Sequence, residues 1–159
     1  TPSGIDYAQL EAGDIVKVNI HTLKAEGVNK PTSELELHAE IYKAREDAGA
    51  VVHAHSKYAS VFACACKGIP VASKEKDARE LFGATIPVAE YALPGTHTLA
   101  VNTASALGAG SAVVMAHHGM AVCGKDMQSA FENALKFEET ARVSWYDYEK
   151  EDFDEETEE

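Results

Sequence analysis

Ala50-Val51-Val52-His53-Ala54-His55 is an apolar run that ends in histidine, and Ala112-Val113-Val114-Met115-Ala116-His117-His118-Gly119 repeats that pattern downstream. Each run is short and rich in valine, which predicts a buried strand. Side chains alternate between the two faces of a strand, so His53 and His55 are expected to project to the same side. Two buried strands that both end in histidine predict a metal site.

These histidines also have an ordinary explanation, because a core imidazole can be satisfied by a backbone carbonyl. Four histidines in two matching contexts make chance burial the less favoured explanation. Zinc held by three protein ligands keeps one position open for water or substrate, as catalytic sites do. The spacing leaves open which member of the His117-His118 pair is a ligand. His21 and His97 lack this context, and no ligand role is predicted for them.

Length and charge limit the class of protein. The chain has 159 residues, of which 45% are hydrophobic, so it can bury one substantial core and forms one domain. Lys and Arg number 14 against 26 Asp and Glu, and the net charge of -12 argues against nucleic acid or an anionic membrane as partner. We expect the domain to cover residues 1–148 and the acidic run 149–159 to be a solvated tail.

The cysteine pattern points to a reducing compartment. Cys64, Cys66 and Cys123 are an odd number without metal-finger spacing, and we expect them to be small buried hydrophobic residues. The sequence shows neither a long apolar span nor a start typical of a signal peptide. A cytoplasmic location is therefore predicted.

Predicted strands and helices alternate along the chain. We expect strands near 14–20, 50–55, 111–118 and 120–124, and helices over 56–66, 75–82, 96–107 and 126–147, with a further helix that Thr32 or Ser33 caps and Gly49 ends. In the last helix, capped by Asp126, one face is apolar and small: Ala130, Ala134, Phe137 and Ala141. This order predicts a layered α/β or α+β architecture.

Four motifs carry a resemblance to a known family. Thr1-Pro2-Ser3-Gly4, Pro31-Thr32-Ser33-Glu34, Val52-His53-Ala54-His55 and His117-His118-Gly119, in this order, resemble the class II aldolase/adducin family up to about Tyr148. The resemblance implies a three-layer α/β/α fold around a mostly antiparallel sheet, and a homotetramer with active sites at subunit interfaces. The family normally has an N-terminal segment before the first motif, and we expect this chain to lack it.

The resemblance also implies the ligands and the acid-base residue. It assigns one zinc ion per chain to His53, His55 and His118, and leaves His117 either to support a ligand or to pack beside the site. The acid-base carboxylate of the family corresponds to Glu34. Zinc would act as a Lewis acid toward an enediolate left by carbon-carbon cleavage, and Glu34 would return a proton to it.

The remaining assignments concern the substrate phosphate. The resemblance places phosphate-binding groups at Ser3 and Gly4 and at Thr32 and Ser33, where hydroxyls, backbone amides and a helix N-terminus favour an anion. Helix capping is the alternative role for Thr32 and Ser33.

Two further side chains, His38 and Tyr91, have weaker signals. His38 shares a helix face with Glu34, and we predict that it hydrogen-bonds to orient a neighbour rather than binding metal. The family aldolase protonates the leaving aldehyde with a tyrosine that has no match between Tyr58 and Tyr91, so the resemblance leaves this role unassigned and offers Tyr91 as a candidate substitute.

The resemblance therefore implies a metal-dependent aldolase acting on a phosphorylated ketose. Pentulose-phosphate 4-epimerases of the family share the histidines but carry Asp at the position of Glu34, which favours the aldolase. Sugar-phosphate dehydratases and decarboxylases of the family remain alternatives. A non-catalytic, adducin-like binding module is disfavoured because His53, His55, His118 and Glu34 are all retained.

Overall fold

The computed structural model describes the backbone of residues 1–157 and the side chains of residues 1–148. Its strands, in chain order, are β1 Lys17–Val18, β2 Ala25–Glu26, β3 Ala50–Ala54, β4 Ile69–Pro70, β5 Thr85–Ile86, β6 Val88–Ala89, β7 Ala112–Met115 and β8 Gly119–Gly124. Its helices are α1 Leu35–Ala44, α2 Lys57–Cys64, α3 Lys76–Phe82, α4 His97–Leu107 and α5 Met127–Thr157. The described part of the chain contains no helix that combines the length and apolarity needed to cross a bilayer.

A four-stranded sheet in the order β3-β8-β7-β6 forms the centre of the fold. Strand β8 is antiparallel to both β3 and β7, whereas β6 is parallel to β7, so the sheet is mixed and mostly antiparallel. Ala54 pairs with Met120, and Met115 pairs with Gly119. Both histidine-bearing runs therefore leave the sheet at the same edge, on either side of the start of β8.

Helices cover both faces of this sheet. Alternation along β7 sends Val113 and Met115 into a core with α1 and α4, and Ala112 and Val114 into a core with α2, α3 and α5. The first core is built on Leu37, Ile41, Ala89, Leu107 and Ala121, and the second on Phe62, Ile69, Phe82, Ile86 and Phe137. The predicted three-layer α/β/α architecture is confirmed.

Helix α5 starts as predicted but ends later. The Asp126 carboxylate accepts a hydrogen bond from the Ser129 N–H at 2.7 Å, and the Ser129 hydroxyl accepts one from the Asp126 N–H at 3.1 Å. The predicted apolar face, Ala130, Ala134, Phe137 and Ala141, is buried. The backbone stays helical to Thr157, so the expected end near Asp147 is wrong. The side chains of the predicted acidic tail, 149–159, lie outside the described residues.

The cysteine prediction holds for one residue of three. Cys123 is buried in β8, but Cys64 and Cys66 are exposed. Both exposed thiols lie where α2 ends at the surface, and the chain turns there through a left-handed Cys66, with φ 53°. The predicted strand over 14–20 is also shorter than expected, since only Lys17–Val18 pairs with β2.

Candidate active site

Three histidines converge at the sheet edge where β3 and β7 end. The ligand nitrogens of His53, His55 and His118 all lie within 4.8 Å of one another. The imidazole rings are 4.8 to 4.9 Å apart between centroids, so each ring contacts the other two. We call these three side chains the histidine centre.

The sheet fixes the orientation of His53. Its Nδ1 lies 2.8 Å from the Met120 carbonyl oxygen, on the neighbouring strand β8, so Nδ1–H donates and Nε2 carries the free lone pair. The His53 Nε2 points to the His55 Nε2 at 3.2 Å. Burial lowers the pKa of His53, which favours the neutral ring that a metal requires.

A tight turn between β7 and β8 presents His118. His117 takes the left-handed conformation of this turn, with φ 54°, and the His118 N–H donates to the Met115 carbonyl at 3.0 Å. Gly119 is needed for space, because an added Cβ would lie 2.6 Å from the Ala54 carbonyl oxygen. Burial also lowers the pKa of His118. The turn therefore requires glycine at position 119, after the left-handed residue His117.

Glu34 is a buried carboxylate next to the histidine centre. Only 8% of the residue is exposed, and it is the N-cap residue of α1. Its charge raises the pKa of both His53 and His118, although burial outweighs that effect. Among the described residues no Lys or Arg pairs with this carboxylate. A bound cation would supply the positive partner that this carboxylate lacks among the described residues.

The arrangement of nitrogens fits a divalent metal. Zinc-nitrogen bonds of about 2.0 to 2.1 Å in a tetrahedral site place two ligand nitrogens about 3.3 Å apart. The His53 and His55 nitrogens, 3.2 Å apart, match that spacing. The His118 Nδ1 is buried without a hydrogen-bond partner among the described residues. The three imidazoles would hold a metal and leave a fourth position, near Glu34, for water or substrate.

His38 differs from the prediction. Its ring is largely buried on α1 and, within the described part of the chain, makes no hydrogen bond, so the expected orienting bond is wrong. Burial, together with the nearby His53 and the amino terminus, lowers the pKa of His38 to about 4. The ring is therefore neutral at pH 7 and packs beside the histidine centre.

The two predicted phosphate-binding turns lie side by side. Pro2 and Pro31 form an antiparallel bridge, the Ser3 N–H donates to the Lys30 carbonyl at 2.8 Å, and the Thr32 N–H donates to the Thr1 carbonyl at 3.1 Å. The side chains of Ser3 and Ser33 are exposed. We call Ser3–Gly4 and Thr32–Ser33 the anion turns.

Hydrogen bonding within the anion turns leaves donors free. The Thr32 hydroxyl accepts the Glu34 N–H at 3.2 Å, so it supports the residue before α1 rather than the first turn of the helix. Among the described residues, no acceptor binds the N–H groups of Gly4 and Ser33. Gly4 adopts a left-handed φ of 80°. Exposed hydroxyls and unpaired amides of this kind can bind an anion.

Tyr91 and Cys66 both contact His117. The Tyr91 ring stacks edge-on against His117 at 5.5 Å between centroids, and the Cys66 sulfur lies 3.1 Å from His117 Nε2. Tyr91 is half exposed, beside the turn that carries His118. His117 thus packs against neighbours outside the histidine centre. The Cys66 contact has no signature in the sequence, because it joins the end of α2 to a turn 51 residues away.

Comparisons with known proteins agree on one family. The family model described as Class II Aldolase and Adducin N-terminal domain matches residues 1–145. A 5-methylthioribulose-1-phosphate/5-deoxyribulose-1-phosphate aldolase of Rhodospirillum rubrum is 34% identical over 91% of this chain and 64% of its own length. An L-fuculose phosphate aldolase of Haemophilus influenzae is 33% identical over 92% of this chain and 65% of its own length.

A solved structure gives the same result. An L-fuculose 1-phosphate aldolase superposes with a TM-score of 0.87 at 37% identity, covering 94% of this chain and 69% of that protein. The chain spans just under two thirds of the length of the two curated relatives, 64% and 65%.

Proposed function

The chain belongs to the class II aldolase and adducin N-terminal domain family, and we propose that the protein is a zinc-dependent aldolase that cleaves a phosphorylated ketose. The products are dihydroxyacetone phosphate and an aldehyde. One zinc ion per chain is held by His53, His55 and His118. Glu34 is the acid-base residue, and the anion turns bind the substrate phosphate.

One observation carries this proposal: a buried, unpaired carboxylate lies beside three converging imidazoles. A structural zinc site would use four protein ligands and bury all of them. Here His55 is exposed, and Glu34 is a carboxylate rather than a fourth imidazole or thiolate. The combination suits a reaction in which a cation stabilises negative charge and a carboxylate moves a proton.

Each group has a separate role in the reaction. Breaking the bond between C3 and C4 of a ketose 1-phosphate leaves its electron pair on the three-carbon fragment as an enediolate, whose charge zinc stabilises as a Lewis acid when bound. Glu34 returns a proton to C3. The C4 hydroxyl loses its proton as the aldehyde forms; a second group accepts that proton and passes it to solvent, and solvent supplies the proton that Glu34 delivers to C3. Tyr91, half exposed beside His117, is the residue we assign to this exchange.

The anion turns account for the phosphate. Thr32 and Ser33 lie directly before α1, whose N-cap residue makes no side-chain capping bond. The N-terminus of a helix favours an anion. The same backbone places Glu34 one residue after Ser33. A phosphate at the turns and a ketone at the histidine centre would thus belong to one extended substrate.

The identity of the sugar is a narrower proposal. The relatives are described as aldolases for methylthioribulose phosphate, deoxyribulose phosphate and fuculose phosphate, so ketose 1-phosphate cleavage is their shared chemistry. We take L-fuculose 1-phosphate as the first substrate to test and 5-deoxyribulose 1-phosphate as the second. We also propose a cytoplasmic homotetramer whose neighbouring subunits complete the exposed side of each site.

The experiment combines metal analysis with product detection. Purified protein, never exposed to chelator, is analysed for metals and then incubated with each ketose 1-phosphate. Dihydroxyacetone phosphate is followed by its enzymatic reduction, and His53→Ala is run in parallel. We expect about one zinc per chain and steady release of dihydroxyacetone phosphate, both lost in the variant.

Other outcomes would replace the proposal. A 4-epimer, loss of water or loss of carbon dioxide would identify one of the alternative reactions of the family. Absence of metal from the unmodified protein, with no product from any sugar phosphate, would indicate a binding module.

A further inference from the structure

Glu138, on α5, caps a helix to which it does not belong. Its carboxylate accepts the N–H groups of Tyr58 at 2.8 Å and Ala59 at 3.0 Å, which are first-turn donors of α2. It also accepts the Ser56 hydroxyl at 2.6 Å. Ser56 is the N-cap residue of α2 but makes no capping bond to its own helix. Glu138 therefore satisfies the donors that a local cap would otherwise bind.

Helix α2 is tied at both ends to segments that carry the histidine centre. The helix begins at Lys57, and only Ser56 separates it from His55. At the other end, the Ala63 carbonyl accepts the N–H of His117 at 2.8 Å, next to His118. The position of α2 therefore bears on two of the three ligands.

His55 depends on this helix more than the other ligands do. Strand β3 ends at Ala54, so His55 lies beyond the last residue of the ladder. His53 is anchored by the Met120 carbonyl at 2.8 Å. The His55 ring is exposed, and within the described part of the chain its one polar contact is the His53 Nε2 at 3.2 Å. Its placement comes from the backbone on either side, and one of those sides is the capped start of α2.

We propose that Glu138 is a positioning residue for the metal centre: by capping α2 it holds His55 in the orientation that completes the three-histidine site. This inference rests on the proposed function, since it takes His55 to be a ligand. A capping carboxylate from another helix couples α5 to the site without touching the metal. The Ser56 hydroxyl adds to this link, because its oxygen also lies 3.7 Å from the sulfur of Met120, whose carbonyl orients His53.

The test measures metal binding in variants of Glu138. Zinc dissociation constants are determined by chelator competition for the unmodified protein, Glu138→Gln and Glu138→Ala. We expect Glu138→Ala to bind zinc about 10- to 100-fold more weakly, and Glu138→Gln, which keeps one acceptor oxygen, to lose less. The visible absorption of the cobalt-substituted protein should shift in both variants, because His55 changes its angle to the metal.

Two controls separate positioning from stability. Glu139→Gln removes the adjacent charge, which pairs with Arg142 and not with α2, and should bind zinc normally. Ser144→Ala removes a hydrogen bond from α5 to the Pro70 carbonyl, which involves no residue of α2. The melting temperature should fall while the α2 cap stays intact. Zinc affinity and the cobalt spectrum should be unchanged in Ser144→Ala despite its lower melting temperature.

The outcomes distinguish this inference from the proposed function. An unmodified protein that binds no zinc overturns both. If the unmodified protein binds zinc and the Glu138 variants match Ser144→Ala in affinity and spectrum, the positioning role alone is overturned. Should Glu138→Ala not fold, Glu138→Gln decides by the same comparison.

Discussion

The histidine centre and the anion turns are built in different ways. The centre is assembled from strand ends, with a side-chain hydrogen bond from His53 to β8 and a turn that needs Gly119 for space. The anion turns are joined through backbone hydrogen bonds alone, and the side chains of Ser3 and Ser33 face solvent. The core fixes His53 and the turn that carries His118 before anything binds, whereas the anion turns offer donors that a bound anion would organise.

Because of this difference, substitutions in the two regions should have separate effects. Where the core holds a metal ligand in place, removal of its nitrogen should abolish metal binding, since neighbouring strands cannot rearrange to supply a replacement. Exposed hydroxyls should contribute graded, modest amounts, because water competes for the same anion. Damage to one region should leave the other intact.

The largest effect is expected from removing a ligand of the histidine centre. His55→Ala leaves two imidazoles. The unmodified protein should bind about one equivalent of zinc, and the variant should retain almost none after dialysis. His21→Ala, an exposed histidine outside the site, is the matched control and should keep its zinc. Full zinc occupancy in His55→Ala would remove this residue from the ligand set.

The next effect concerns the carboxylate beside the centre. Glu34→Gln keeps the size of the side chain but cannot transfer a proton, so turnover should fall by about 10²- to 10⁴-fold while zinc stays bound. Glu36→Gln, on the same helix and more exposed, is the control for a lost charge. Unimpaired cleavage by Glu34→Gln would exclude it as the acid-base residue.

The sequence predicts the histidine centre well because its signals are local. Apolar runs that end in histidine define β3 and β7, and alternation puts His53 and His55 on one side. The choice between His117 and His118 rests on the family resemblance, and the structure brings His118, not His117, to the other two rings. The left-handed turn at His117 brings His118 to the other two rings, and no pattern in the run predicts that turn.

The contacts that hold the site in place are not local, and the sequence misses them. The Met120 carbonyl and the Glu138 cap act across 67 and 82 residues of chain, with partners His53 and Ser56. Burial of the cysteines is misjudged for the same reason. Thiol composition predicts burial, but Cys64 and Cys66 lie where α2 meets the surface, which depends on where the helix docks.

A smaller effect is expected at the anion turns. The double variant Ser3→Ala, Ser33→Ala removes two exposed hydroxyls, which should raise the KM for a phosphorylated ketose by about tenfold and leave kcat and zinc content nearly unchanged. Ser105→Ala, an exposed serine on α4, is the control. A KM that does not change in the double variant would show that the phosphate binds elsewhere.

The smallest effect is on stability and concerns His38, the largely buried residue beside the histidine centre. Because burial lowers the pKa of His38 from 6.5 to about 4, the unfolded chain binds a proton in that interval and the folded chain does not. The free energy of unfolding of the metal-free protein should therefore fall as pH drops from 6.5 to 4, by at most about 3 kcal/mol from this residue. His38→Gln should reduce that pH dependence, measured by urea unfolding, and leave the part due to His53 and His118, whose pKa values burial also lowers. His21→Gln, at an exposed histidine, should retain it in full. Equal slopes in His38→Gln and the unmodified protein would mean that the ring is protonated in the folded state, as an exposed histidine is.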